Sequence, residues 1–174
     1  MAWFVLRDLK RPNALEPAWK ILPTLGYRVF TPMSEQRVSR HGKVVKERRP
    51  IVPDLLFVEG ERPVLDVLIA RTPTLQYRYV KGQGRGVPMT VRDSDMALFM
   101  RAVSEYSDGV RYYTAGEITA DMLGREVRII GGPLDGTVGR LLSRRGLRDK
   151  RLVLDLQGLL TATVTIEPEL IELM

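Results

Sequence analysis

The chain has 174 residues, 44% of them apolar, with 27 Lys and Arg against 21 Asp and Glu for a formal charge of +6. That length and apolar content allow one medium domain or two small ones with packed cores, and they exclude wholesale disorder. The absence of cysteine and the single histidine, His41, exclude disulfides, thiolate catalysis and a zinc site of the usual nitrogen-and-sulfur kind.

Taken in order, Trp3-Phe4-Val5-Leu6 is a β-prone apolar run, followed by a turn at Lys10-Arg11-Pro12-Asn13. Asn13 with Glu16 three residues on has the form of a capping box. Leu15, Ala18, Trp19, Leu22 and Leu25 then fall at helical spacing, which predicts a helix over 14–25 shortened by Pro23 and closed by Gly26. Tyr27 to Phe30 reads as a second strand. The polar, basic stretch 35–50 holds Arg37, Arg40, Lys43, Lys46, Arg48 and Arg49, with His41-Gly42 as its turn, and predicts a long hairpin. The run 51–59 is a third strand entered through Pro53. Residues 64–71 are helical, stopped by Thr72-Pro73, and 75–80 alternate as a strand. Asp93 or Ser94 caps a third helix to about Tyr106, with Met96, Phe99, Met100 and Val103 on one side. The order is β-α-β-β-α-β plus a helix, the ferredoxin-like split βαβ arrangement in an α+β fold.

From Ser107 to Asp121 periodicity fades, so 107–121 reads as a linker between domains 1–106 and 122–174. Beyond it come short strands at 126–130, 138–143, 151–156, 161–166 and 169–173. Turns at Gly131-Gly132-Pro133, Arg145-Gly146 and Gln157-Gly158 separate them. Five short strands in about fifty residues imply a small closed barrel, because closure removes exposed edges. No apolar run nears the ~18 residues a membrane helix needs, and no leader is apparent, so the expected location is the cytoplasm.

Charge is segregated. Residues 1–106 carry 18 basic against 11 acidic residues, or +7, and 107–174 carry 9 against 10, or −1. A basic first part is expected to meet a polyanion, although a solubilising surface gives the same count. Enzyme chemistry has little to stand on. Asp93 and Asp95, two apart on a helix, do not face each other and suit the first-turn dipole. Gly82-Gln83-Gly84-Arg85-Gly86 lacks phosphate-loop spacing and reads as a loop.

Three fragments carry a resemblance. Trp3-Phe4-Val5-Leu6 resembles the opening of the NusG N-terminal domain. Arg49-Pro50-Ile51-Val52-Pro53-Asp54-Leu55-Leu56-Phe57-Val58 resembles that family's F-P-x-Y-L-F-V strand. The segment 127–139, V-R-I-I-G-G-P-L-D-G-T-V-G, looks like a KOW motif. Their order and spacing across nearly the whole chain identify it as similar to NusG-type transcription elongation factors, with an NGN domain followed by a KOW domain of SH3-like β-barrel form. The stretches 6–14, 30–33 and 74–80 are similar to operon-specific paralogues of the UpxY and RfaH types, whose targets are surface-polysaccharide operons.

The resemblance implies a monomeric, cofactor-free antitermination factor. It binds the clamp helices of the largest RNA polymerase subunit through Trp3, Phe4, Pro53, Leu55, Phe57 and Tyr79. Helix-in-groove recognition requires an open apolar surface between the first, third and fourth strands, with Trp3, Leu55 and Tyr79 exposed. Leu56 and Phe57 read more simply as core. Val52, Asp54 and Leu55 depart from the family pattern and leave less aromatic area. The resemblance further implies contact with the non-template DNA strand through Lys10, Arg11, Asn13, Lys20, Arg71 and Thr72, with Trp19 placed on the apolar stripe. In the KOW domain, Leu134, Leu159 and Leu160 correspond to loops that relatives use for a ribosomal small-subunit protein or the Rho terminator. The β-branched run around Val164 favours strands over any helical refolding. Two other readings stay open: a KOW-containing RNA- or ribosome-binding module, and the housekeeping NusG-type factor.

Overall fold

The computed structural model describes residues 1–10, 16–82, 86–106 and 109–174. They form two compact units, Met1–Arg92 and Asp93–Met174. Both mix helix and strand, so the chain is α+β.

The first unit contains β1 (Ala2–Asp8), α1 (Ala18–Thr24), β2 (Arg28–Phe30), β3 (Met33–Arg40), β4 (Lys43–Pro50), β5 (Leu55–Gly60), α2 (Arg62–Arg71), β6 (Leu75–Tyr77) and β7 (Thr90–Val91). Its main sheet is antiparallel in the order β2-β5-β1-β6, with β7 also paired to β1. Alternation along β1 and β5 sorts side chains to the two faces. Phe4, Leu6, Leu56 and Val58 share one face with Ala18 and Leu22 of α1, Leu65 of α2, and Leu75 and Tyr77 of β6. Each large side chain buried there contributes roughly 1.5–3 kcal/mol. That cluster is what locks the helices to the sheet.

Helix α1 is shorter than the apolar stripe implied. It starts at Ala18, with Pro17 at the N-cap and no side-chain cap of its own. The expected cap, Asn13, lies outside the described residues, as do Ala14 and Leu15. A cap is supplied from β1 instead. Asp8, buried, accepts hydrogen bonds from the Ala18 N–H at 2.7 Å and from the Lys10 N–H at 3.0 Å. A carboxylate facing the first free N–H of a helix satisfies an orphan donor and complements its dipole.

The hairpin β3–β4 forms its own two-stranded sheet, in register from Met33↔Pro50 to Arg40↔Lys43. His41 and Gly42 both have positive φ, 50° and 75°, the requirement of a two-residue type I′ turn. The hairpin and its turn are as the sequence predicts.

The second unit contains α3 (Asp93–Glu105), β8 (Arg111–Thr114), β9 (Leu123–Ile129), β10 (Val138–Leu142), β11 (Arg151–Leu156), β12 (Leu160–Thr165) and β13 (Ile171–Leu173). Helix α3 packs on β11 and β12 and falls within the second unit. The supposed linker holds β8, which pairs with β12 from Leu160↔Thr114 to Thr163↔Arg111. Four residues are too few for strand alternation to show in the sequence. The six strands run in the order β13-β9-β10-β11-β12-β8, an open hydrogen-bonded path with β8 covering the edge of β12. The KOW-like segment 127–139 spans the end of β9, a turn and the start of β10, with Val127, Ile129 and Leu134 fully buried.

Candidate partner-binding surface

Trp3 and Leu55, on which an open surface was to depend, are 3% and 2% exposed. Alternation places both on the face of the sheet opposite the Phe4–Leu56 cluster, and that face is sealed at these positions too, although Arg7, opposite Leu55, is exposed. Phe57 is also sealed, and Phe4 lies in the cluster beneath α1 and α2. Trp3 carries the Arg28 guanidinium 5.3 Å from its ring centre, and Arg28 in turn pairs with Glu59 at 3.0 Å. Phe30 sits 6.1 Å from Phe57, ring centre to ring centre. Pro53 is exposed in the turn before β5.

Tyr79 is the expected anchor that stays open, at 49% exposure. It ends a chain of rings that begins in the core: Phe4 to Tyr77 at 5.7 Å, then Tyr77 to Tyr79 edge-on at 6.3 Å. Tyr77 is locked by donating its O–H to Asp66 of α2 at 2.8 Å. Burial and the adjacent Asp66 carboxylate push the Tyr77 phenol above its ordinary pKa. Backbone bonds fix the segment after β6 that carries Tyr79. Arg78 N–H donates to Val5 O at 2.9 Å, Val80 N–H to Val87 O at 3.0 Å, and Met89 N–H to Arg78 O at 2.7 Å. Tyr79 bridges to Pro88, which is buried, and the adjacent Val87 is 40% exposed. An aromatic ring held rigidly at a surface binds a partner with little entropy left to lose. Sequence reasoning named Tyr79 and missed Tyr77 and Asp66, which hold it; a tyrosine two residues before Tyr79 on an alternating strand was the available signal.

The residues expected on DNA are scattered in their engagement. Lys10 directs its ammonium to the Glu16 carbonyl at 2.8 Å, and Lys20 lies exposed with Nζ 5.1 Å from the Trp19 ring centre. Arg71 is exposed in the last turn of α2, and Thr72, half-buried, is its C-cap. Arg11 and Asn13 lie outside the described residues.

In the second unit, Leu134 and Leu160 are fully buried, which corrects their placement on a partner-facing loop tip. Leu160 begins β12, whose run Leu160–Val164 is buried throughout, and β8 pairs along it. Leu159 is half-buried. Among the described residues no group of three His, Asp or Glu side chains is placed to hold a metal, and no helix is long and apolar enough to cross a membrane.

Residues 1–100 match the model of a family described as transcription termination factor NusG. Among curated proteins nothing matches the chain.

Proposed function

The chain belongs to the NusG family of transcription factors, and from that premise we propose that it is an antitermination factor of the operon-specific UpxY and RfaH type. The first unit engages the clamp helices of the largest RNA polymerase subunit, favours processive transcription, and leaves the second unit to recruit a further partner. NusG-family factors generally bind RNA polymerase and act in elongation and antitermination, so the class of function follows from membership. The split βαβ reading of the first unit is supported by the strand order β2-β5-β1-β6, and the KOW reading of the second by its short antiparallel strands.

The observation that carries the proposal is the exposed Tyr79, continuous through Tyr77 with the packed core and bridged to the segment that bears the exposed Val87. An apolar helical pair gains most from an anchor that does not have to be ordered first. Trp3, Leu55 and Phe57 lie sealed on the opposite face of the sheet, and Pro53 is exposed in the turn before β5. The net charge of the first unit, 17 basic against 8 acidic residues for +9, suits a position beside DNA, with Lys20 and Arg71 free to meet phosphate.

The test pairs two substitutions. Tyr79→Glu is expected to lower retention on purified bacterial RNA polymerase by at least tenfold while leaving thermal unfolding within about 0.5 kcal/mol, as for an exposed site. Leu55→Glu is expected to unfold the unit, because an unpaired charge cannot be buried there. Retention of Tyr79→Glu at the wild-type level would move the docking surface elsewhere. In a single-round transcription assay, the wild-type chain should shorten pauses on a template carrying its recruitment element. No change at saturating protein would remove the antitermination reading.

A further inference from the structure

The second unit is acidic overall, with 10 basic against 13 acidic residues from Asp93 to Met174. Half of its cations nonetheless gather at one place. The eight residues joining β10 to β11, Ser143 to Lys150, hold Arg144, Arg145, Arg148 and Lys150 against one acid, Asp149, and Arg125 of β9 lies beside them. No ion pair satisfies any of these five cations among the described residues.

The cations surround a built concavity. A groove of about 280 Å³ is lined by Arg125, Arg144, Arg148 and Lys150, with Asp149 as its sole carboxylate and Gly124 and Leu141 among its walls. The register of β9 and β10 slips between Arg140 and Leu142, and such a bulge bends a strand and re-aims its side chains. Gly124 makes the close approach possible, since a Cβ there would sit 3.0 Å from the Leu141 carbonyl oxygen. The loop itself is held by Ser143 N–H donating to Met122 O at 2.7 Å and Leu147 N–H to Arg144 O at 3.1 Å. On the other side of Arg148–Lys150 lies a larger depression of about 700 Å³, in which Tyr106, Pro133, Ile166 and Leu170 supply the apolar wall.

We infer that this face of the second unit is a sequence-independent site for single-stranded nucleic acid, its cationic groove holding phosphodiester groups and the depression beside Tyr106 receiving an unpaired base. Cations alone would suit any polyanion, but an adjoining aromatic-walled depression suits a strand whose bases are free to turn out. The groove contains no aromatic ring on which a base could stack, so stacking falls to the depression beside Tyr106, and stacking is sequence-tolerant. The site lies in the second unit and does not depend on the polymerase-docking role of Tyr79.

The test is fluorescence anisotropy of the full chain with a labelled single-stranded RNA, a DNA strand of the same sequence, and the corresponding duplex, each over a range of salt. Either single strand is expected to bind more tightly than the duplex, and the tighter of the two identifies the natural source. Arg144→Ser with Arg148→Ser should weaken binding on the order of tenfold and reduce the salt slope by about 1.4, two contacts at about 0.7 each. Tyr106→Leu should weaken single-strand binding severalfold with the salt slope unchanged. Arg111→Gln with Arg128→Gln removes equal charge elsewhere on the unit and should change binding less than twofold. An equal loss in that control, or a duplex bound as tightly as the single strands, overturns the inference. Retention of the groove variant on polymerase separates its outcome from that of the docking proposal.

Discussion

Arg151 shows how much one side chain can organise. It is 2% exposed and has no carboxylate partner among the described residues, yet its guanidinium donates to Thr163 Oγ1 at 2.9 Å, Thr165 Oγ1 at 2.7 Å, the Thr163 carbonyl at 2.8 Å and the Gly109 carbonyl. Burial and the nearby Arg111 press its pKa below the ordinary arginine value. Arg151→Met would leave those acceptors unmet, so urea denaturation should show a loss of about 2–4 kcal/mol. Tyr77 gives a pH-dependent counterpart. Its folded pKa is raised, so the folded state keeps the proton where the unfolded chain has lost it. Stability is then complete below the ordinary phenol pKa of about 10 and falls as pH rises above it. Thermal melts from neutral to strongly alkaline pH should therefore decline less steeply in Tyr77→Phe than in wild type. A parallel decline would place the alkaline sensitivity in other groups, such as Tyr106, whose pKa burial also raises.

Among the elements, the β3–β4 hairpin is the most self-contained. Directly opposed residues share a face, so its two faces differ in charge logic. One carries the Arg40–Glu47–Arg49 network, closed by contacts at 2.8 and 3.2 Å, together with the Val38↔Val45 pair. The Glu47 carboxyl is held below its usual pKa, chiefly by its bond from Arg40. The other sets Arg37 directly across from Lys46, next to Glu35 across from Arg48. Like charges opposed in this way weaken the ladder slightly, which a network on the far face offsets. Among the described residues the hairpin pairs with no other strand. Replacing 34–49 with a short Gly-containing turn is expected to cost the first unit less than about 1 kcal/mol, since no core contact is lost. Cooperative loss of the whole circular-dichroism signal would show instead that the hairpin holds the unit together.

At the scale of the molecule, the division at Arg92 and Asp93 differs from the boundary that chain order implies. Helix α3 and strand β8 cover parts of the second unit's sheet, α3 against β11 and β12 and β8 along β12. A fragment 93–174 is therefore expected to unfold at distinctly higher urea than a fragment 122–174, in which the β12 edge is bare and Leu160 to Val164 lose cover. Equal midpoints for the two fragments would mean that α3 and β8 are accessory. The charge contrast of +9 against −3 makes the first unit the one drawn to a polyanion at long range, while the second binds only through its local groove.

Much of this protein is written in local patterns. The period-2 and period-3.6 apolar spacing marks β1, β5, α2, α3 and the short strands of the second unit, and His41-Gly42 marks the hairpin turn, because these depend on neighbours a few residues apart. Family membership is legible for the same reason, since its motifs are contiguous. Three things depended on distant pairing and were not legible. The cap of α1 comes from Asp8, ten residues away, and β8 has strand form because β12 offers it an edge. Trp3 and Leu55 are sealed while Tyr79 is open, since exposure follows from what covers a face in the folded chain and not from what the residue prefers. An apolar side chain states that it avoids water, and only the assembled sheet decides whether it succeeds.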